Sequence, residues 1–305
     1  MGTTPKNKAI DAEYLLKQFK ALNTKVFEKT YSKIKNAIFT GSFSHNRKAG
    51  TTIGTNSFAE GFNTTASGST SHAEGNNTTA GGSNSHTEGD TTTASGMTSH
   101  AEGEMTTASG LASHAEGSET TAARDFSHAE GMMTTANGDA SHAEGSNTKT
   151  SGHASHAEGY NTTASGISSH AEGQETVASA SYAHSEGVNT SAIGQGSHAE
   201  GSNLEQNRYN EIVFEDPRRV EIYDEATGDF INVTVAGSQA FGLNSHAEGC
   251  STLAYGKNSH TEGYHTVAAA NESHAEGCGS EANGIFAHAE GYETKAKGSA
   301  SHAEG

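Results

Sequence analysis

The sequence has few of the residues that build an ordinary globular core. Of its 305 residues only 36 are Leu, Ile, Val or Phe, and there is no Trp. Only two Pro occur, together with 37 Gly and a net charge of −18, a composition typical of disordered chains. A globular enzyme of this size is therefore excluded. An ordered alternative needs thin repeating units, which are recognised by internal repetition.

Basic charge and long apolar runs are also scarce. Residues 1–50 carry ten of the 18 basic residues and a net charge of +7, whereas the remainder carries −25. An acidic body disfavours nucleic acid as a partner, because phosphate binding needs clustered Lys and Arg. No apolar run is long enough to span a membrane, and residues 1–10 hold no signal-peptide segment. We expect neither nucleic-acid binding nor membrane insertion.

What the sequence does contain is a pentapeptide that recurs at every fourteenth position. Ser71-His72-Ala73-Glu74-Gly75 is one copy, and the sixteen copies begin at 57, 71, 85, 99, 113, 127, 141, 155, 169, 183, 197, 245, 259, 273, 287 and 301. Such a period is too short for a helical pair and suits two short strands with two tight turns. Each repeat is thus predicted to be one rung of a β-solenoid that rises ~4.8 Å per rung.

Alternation along each strand separates the inside of the roll from the outside. In the second strand Thr78, Ala80 and their equivalents are small in nearly every copy, so we place them inside and expect the variable positions between them to face water. The same logic places Ser71, Ala73 and Gly75 inside and makes the intervening His and Glu point outward.

The outward His and Glu vary far less than a solvated face would require. His occurs in fifteen of the sixteen pentapeptides, with Phe58 in the first, and Glu occurs in all sixteen. We predict that this face is buried against the same face of other copies of the chain, where His and Glu pair across chains. The predicted interface residues are His72, Glu74, His86, Glu88, His100, Glu102, His114, Glu116, His128, Glu130, His142, Glu144, His156, Glu158, His170, Glu172, His184, Glu186, His198, Glu200, His246, Glu248, His260, Glu262, His274, Glu276, His288, Glu290, His302 and Glu304. Pairing of this kind predicts a raised His pKa and a lowered Glu pKa.

These repeats resemble the head repeats of trimeric autotransporter adhesins, the YadA-like heads, over about residues 57–203 and 236–305. The resemblance implies an all-β, left-handed parallel β-roll assembled as a parallel homotrimer, with the His and Glu positions at the interface. The family has Val and Ile at these two positions, so this chain has a polar interface where the family has an apolar one. The His-Ala-Glu-Gly variant also resembles tail-fibre and appendage proteins of phages and prophages of Gram-positive bacteria, in which a self-cleaving chaperone domain often follows. That resemblance leads us to expect further sequence after Gly305.

Two segments interrupt or precede the repeats. Residues 9–30 are predicted to form a helix, with Leu15, Phe19, Leu22 and Val26 in an a/d stripe. It would serve as a stalk, as a docking element towards a baseplate or other particle component, or as a helix packed on its own chain. Residues 204–237 are an insertion that we read as a β-hairpin excursion with a turn at residues 227–229. The insertion is either a receptor-contacting module or a structural collar.

The resulting organisation has four parts, namely a basic helical segment at 1–40, rolls at 41–203 and 238–305, and the insertion at 204–237. The candidate receptor-binding residues are the insertion's aromatics, Tyr209, Phe214, Tyr223 and Phe230. Cys250 and Cys278 lie two rungs apart, about 9.6 Å along the axis and beyond the ~7 Å Cα separation that a disulfide allows, so free thiols and assembly in a reducing cytoplasm are predicted.

The function expected from these features is structural. We expect no enzymatic activity and no cofactor, because chemistry needs one singular constellation and here every His and Glu is repeated along a shaft. A metal held by His on a trimer axis is a minor alternative. The first functional hypothesis is a fibre of a phage or phage-tail-like particle, a shaft that positions recognition of a host-cell receptor. The second is a trimeric adhesin head on a bacterial cell surface.

Overall fold

A computed structural model of the chain describes residues 21, 24, 43–202, 204–206, 212–214, 218–224 and 228–305. The repeats form a parallel β-solenoid in which each rung pairs with the rung directly before it and the rung directly after it. Pairing is in register, so His128 lies beside His142 and Glu130 beside Glu144. The all-β solenoid predicted from the period is confirmed. Most of the predicted N-terminal helix, residues 9–30, lies outside the described residues and stays a prediction.

Each complete rung contributes one strand of about five residues to a first sheet and one of two residues to a second sheet. The first-sheet strands are Phe43–Arg47, Phe58–Ala66, His72–Asn76, His86–Asp90, His100–Glu104, His114–Ser118, His128–Met132, His142–Ser146, His156–Tyr160, His170–Gln174, His184–Val188, His198–Ser202, His246–Cys250, His260–Tyr264, His274–Cys278, His288–Tyr292 and His302–Glu304. The second-sheet strands are Thr79–Ala80, Thr93–Ala94, Thr107–Ala108, Thr121–Ala122, Thr135–Ala136, Lys149–Thr150, Thr163–Ala164, Val177–Ala178, Ser191–Ala192, Gln239–Ala240, Leu253–Ala254, Val267–Ala268, Glu281–Ala282 and Lys295–Ala296. Phe58–Ala66 runs through both sheets.

The interior of the roll consists of rows of small side chains. Ala73, Ala80 and Thr78 are fully buried, and so are nearly all their equivalents in other rungs. Ser71 is 2% exposed, and its hydroxyl donates to the carbonyl oxygen of Gly68 at 2.8 Å, which ties the turn to the strand that follows it. A 14-residue rung encloses so little space that methyl-sized groups fill it, which explains how the chain folds with few large apolar residues.

One position was assigned wrongly from the alternation. Gly75 was expected inside, but it and its equivalents lie at or near the surface, with φ between +99° and +114°. A Cβ at Gly75 would lie 2.1 Å from the carbonyl oxygen of Gly89 in the next rung. The glycine is therefore required by the backbone conformation and by the close rung contact.

The chain turns twice in each rung, and each turn contains a residue with positive φ. Such residues recur every seven positions, beginning at Asn56, Asn63 and Thr70, and many are not Asn or Gly. Phe126 and Tyr182, for example, have φ values of 58° and 62°. The 14-residue rung is thus two seven-residue halves with the same corner geometry.

The insertion contains two antiparallel strand pairs, where a single hairpin was expected. Leu204–Gln206 pairs with Ile212–Phe214, and Arg218–Asp224 pairs with Asp229–Val235. The second pair, which we call the docked hairpin, packs Val220, Ile222 and Val235 against the second sheet. The shaft continues in register across the break, because Ser191 pairs with Gln239.

The docked hairpin buries positions of the second sheet that were expected to be exposed. The variable outward positions of the second sheet were expected to face water, but at three successive rungs Gln239, Leu253 and Val267 are 9%, 0% and 1% exposed. The hairpin covers these positions, so the insertion does not simply bulge away from the shaft.

Candidate functional site

The outward His residues form one continuous ladder along the first sheet. Each ring from His72 to His302 stacks on the next, with centroids 4.7–4.9 Å apart and interplanar angles of 3–20°. The stack crosses the insertion without a break, because His198 and His246 lie 4.7 Å apart with an interplanar angle of 3°. This spacing matches the inter-strand distance of a β-sheet, so the backbone imposes it.

A parallel ladder of Glu side chains accompanies the His ladder. In most rungs the His Nε2 lies 3.3–4.0 Å from a carboxylate oxygen of the Glu two residues later, as in His142–Glu144 at 3.3 Å. Both side chains are about one-third exposed. We call this pair of ladders the His/Glu face. The structure thus brings His and Glu together within one chain.

Every Nε2 atom of the ladder from His72 to His288 is buried and has no hydrogen-bond partner among the described residues. A buried polar nitrogen without a partner carries a desolvation cost that a second surface can relieve by supplying a donor or an acceptor. In most rungs the Nε2 therefore has a Glu carboxylate nearby but no hydrogen bond within the chain.

The electrostatics of the face favour neutral His. Burial lowers the pKa of His100, and the neighbouring rings of His86 and His114 lower it further. The pKa is also lowered, with burial as the first cause, at His128, His142, His170, His198, His260 and His274. Within the single chain, burial and like-charge neighbours outweigh the carboxylates at these seven positions. The raised His pKa expected from His–Glu pairing across chains stays a prediction.

Neighbouring carboxyl groups share a proton at one point of the Glu ladder. A hydrogen bond with Glu88, followed by burial, raises the pKa of Glu102 to about 7. The same hydrogen bond is the main cause that lowers the pKa of Glu88. Glu102 is then the protonated donor near neutrality and Glu88 the charged acceptor.

A groove follows the Glu ladder, with the pentapeptide glycines along it. Near its start it has a volume of about 720 Å³ and is lined by Glu60, Glu74, Glu88, Glu102 and Glu116 with their following glycines. A similar stretch of about 420 Å³ lies between Glu262 and Gly305. Because glycine leaves space beside each carboxylate, another chain's side chains can approach the face here.

The same face contains groups that could hold a metal ion. Twelve clusters such as His72, Glu74 and His86 bring their donor atoms within 4.8 Å of one another. Imidazole and carboxylate suit a transition metal. However, the two rings in each cluster are stacked nearly parallel, so a cation in the plane of one ring lies out of the plane of the other. A metal shared by successive rungs requires the rings to rotate out of the stack.

The four predicted receptor-binding aromatics differ in location, and one of them lies outside the described residues. Phe230 lies on the docked hairpin with 69% of its surface exposed. It pairs with Tyr223 across the hairpin, whereas Phe214 lies on the strand Ile212–Phe214 and Tyr209 is outside the described residues.

Among the described residues no helix is long and apolar enough to cross a membrane.

Sequence reasoning missed the footprint of the hairpin on the shaft. Most earlier second-sheet strands begin with Thr, whereas two of those under the hairpin begin with Leu253 and Val267. Two residues after Gln239 and Leu253, where most rungs have a small or polar residue, lie Phe241 and Tyr255, which are partly buried against the hairpin. A run of apolar residues at normally polar repeat positions was the signal that could have revealed it.

Neither cysteine forms a disulfide, as predicted. Cys250 and Cys278 are unbridged and partly exposed.

Comparison with known families agrees with this geometry. The family model described as YadA head domain repeat (2 copies) matches residues 59–85, 157–179 and 185–203. No curated protein matches the chain. YadA head domains form homotrimers, and they are structural, adhesin-type solenoids.

Proposed function

Because the chain carries YadA head repeats, we propose that it is the trimeric shaft of a fibre on a phage or phage-tail-like particle, assembled in the cytoplasm, and that it positions recognition of a host-cell receptor. The observation that carries the proposal is the unbroken His/Glu face, whose buried Nε2 atoms make no hydrogen bond among the described residues. Three such faces around one axis would let neighbouring chains supply those hydrogen bonds. The same thirty His and Glu residues predicted from the sequence then form the interface.

The cysteines bear on the particle setting. Cys250 and Cys278 form no disulfide, which fits assembly in a reducing compartment. The YadA match itself favours the second candidate, an adhesin head on a bacterial cell surface. The basic N-terminal segment, residues 1–40, would join the fibre to a baseplate or other particle component.

Light scattering tests the trimer. We expect a mass of about three times 31.4 kDa. Replacing Glu130, Glu144 and Glu158 together by Lys places like charges on the proposed interface and should yield monomers. The control replaces Thr107, Thr121 and Thr135, on the outer row of the second sheet, by Lys and should remain trimeric. A trimer that survives the Glu replacements would show that this face is not the interface.

The setting is tested by immunogold electron microscopy with antibody against the shaft. Labelling of tails on particles released by phage induction supports the fibre. Labelling confined to the surface of intact cells supports the adhesin.

The insertion is tested by deleting residues 204–237. The deletion restores the 14-residue period, and Leu253 and Val267 must be changed to Thr in the same variant because it uncovers them. We expect this variant to keep the trimer and lose binding to host cells. Loss of the trimer would make the insertion a structural collar.

A further inference from the structure

A cavity lies where the docked hairpin meets the shaft. Its volume is about 330 Å³, and it is lined by Glu221 and Phe230 of the hairpin and by Asn283 and Lys297 of the shaft. This volume is within the range of small-ligand sites, ~300–1,000 Å³. Two separate parts of the chain form the cavity, so it exists only when the hairpin is docked.

The hairpin wall of this cavity is held against the shaft. Ile222 and Val235 of the hairpin pack against Leu253 and Val267 and are at most 1% exposed. The Arg218 Nη2 also donates to the backbone oxygen of Ser251 at 2.8 Å. A ligand would therefore meet a site that is already formed, which lowers the entropic cost of binding.

Among the described residues, the lining combines one exposed aromatic ring with three polar groups. Lys295 pairs with Glu281 at 2.9 Å nearby, but neither Glu221 nor Lys297 has an ion-pair partner among the described residues. The Asn283 amide donates to Glu281 at 3.3 Å, and its carbonyl oxygen can accept another hydrogen bond. Opposite charges in one small cavity disfavour both a simple anion and a simple cation, and three polar groups disfavour a wholly apolar ligand.

We propose that this cavity binds a neutral saccharide, a proposal that rests on the recognition role given above. The apolar C–H face of a pyranose ring lies on Phe230. Its hydroxyls donate to Glu221 and Asn283 and accept from the Lys297 ammonium. A saccharide is the ligand class that presents one apolar face and many hydroxyls that both donate and accept.

The test uses the full chain on an array of neutral hexose and N-acetylhexosamine oligosaccharides, followed by titration of the best-bound sugar. We expect the Phe230→Ala and Asn283→Ala variants to weaken binding at least tenfold. The matched control is Phe126→Ala, which removes a ring with 62% exposure from a rung before the insertion and should leave the affinity unchanged.

Two results would overturn the proposal. Either no sugar on the array binds, or a bound sugar is indifferent to the Phe230 and Asn283 variants. If no sugar binds while the 204–237 deletion still abolishes attachment to host cells, the cavity proposal fails and the recognition role of the insertion stands. If attachment also survives the deletion, that recognition role fails as well.

Discussion

At the residue scale, the pentapeptide glycine is the position least tolerant of change. Gly145 has φ +105°, and an added Cβ would lie 2.2 Å from the carbonyl oxygen of Gly159. We expect Gly145→Ala to destabilise the shaft by about 3 kcal/mol or more, because it combines backbone strain with a clash against a neighbouring rung. The melting temperature by circular dichroism measures this.

Gly81 provides the matched control for that variant. It lies in the same solenoid, but an added Cβ would find its nearest neighbour at 3.9 Å, and Ser occupies this repeat position in many rungs. Gly81→Ala should leave the melting temperature nearly unchanged. Equal losses from both substitutions would contradict the rung-contact explanation.

At a turn residue, by contrast, a substitution should stabilise the shaft. Phe126 holds φ +58° and is 62% exposed. Asn adopts this conformation with less strain and occupies the equivalent corner in four other rungs, at Asn56, Asn84, Asn244 and Asn258. Phe126→Asn should stabilise the shaft by about 1 kcal/mol. A lower melting temperature in this variant would mean that the ring makes a contact that outweighs the strain.

At the scale of elements, hairpin docking depends on the apolar footprint beneath it. Leu253 is fully buried, whereas Val177 occupies the equivalent position on a rung outside the docked hairpin's footprint and is only partly buried. Leu253→Ala should weaken docking by about 2–4 kcal/mol, and Val177→Ala should have a much smaller effect. Limited proteolysis within residues 204–237 reports the difference. Equal protection of the insertion in both variants would contradict the docked arrangement.

The sequence predicted the repeat and missed the exceptions, for physical reasons. The unvarying spacing of the pentapeptides determines the rung, and small residues at alternate positions identify the inside. Alternation failed at Gly75, because a residue with positive φ leaves the strand geometry on which alternation depends. It failed again at Leu253 and Val267, because their burial comes from a segment that lies outside the repeat.

At the scale of the whole molecule, the His/Glu face should make stability depend on pH from both sides. The His pKa values are lowered in the folded chain, so between those values and ~6.5 the unfolded chain binds more protons and stability falls as pH falls. The pKa of Glu102 is raised to about 7, so its folded form binds more protons between ~4.5 and 7, and its contribution is lost as pH rises through 7.

The melting temperature should therefore rise with pH up to about 6.5, because the seven lowered His pKa values outweigh the single raised pKa of Glu102, and should change little above pH 7. A series of melts from pH 4 to pH 9 measures this profile. A maximum well below pH 6 would instead indicate that carboxylates from neighbouring chains dominate, raising the His pKa above its value in the single chain.

Because the rungs of the shaft are nearly identical, they do not fix the axial position of one chain relative to another. Two copies displaced by a whole rung, about 4.8 Å, would still present His beside His and Glu beside Glu. The docked hairpin, which interrupts the described repeats once between Ser202 and Gln239, supplies a mark that identical rungs lack. In the trimer proposed above, three chains aligned without displacement would carry their docked hairpins at one common height along the axis.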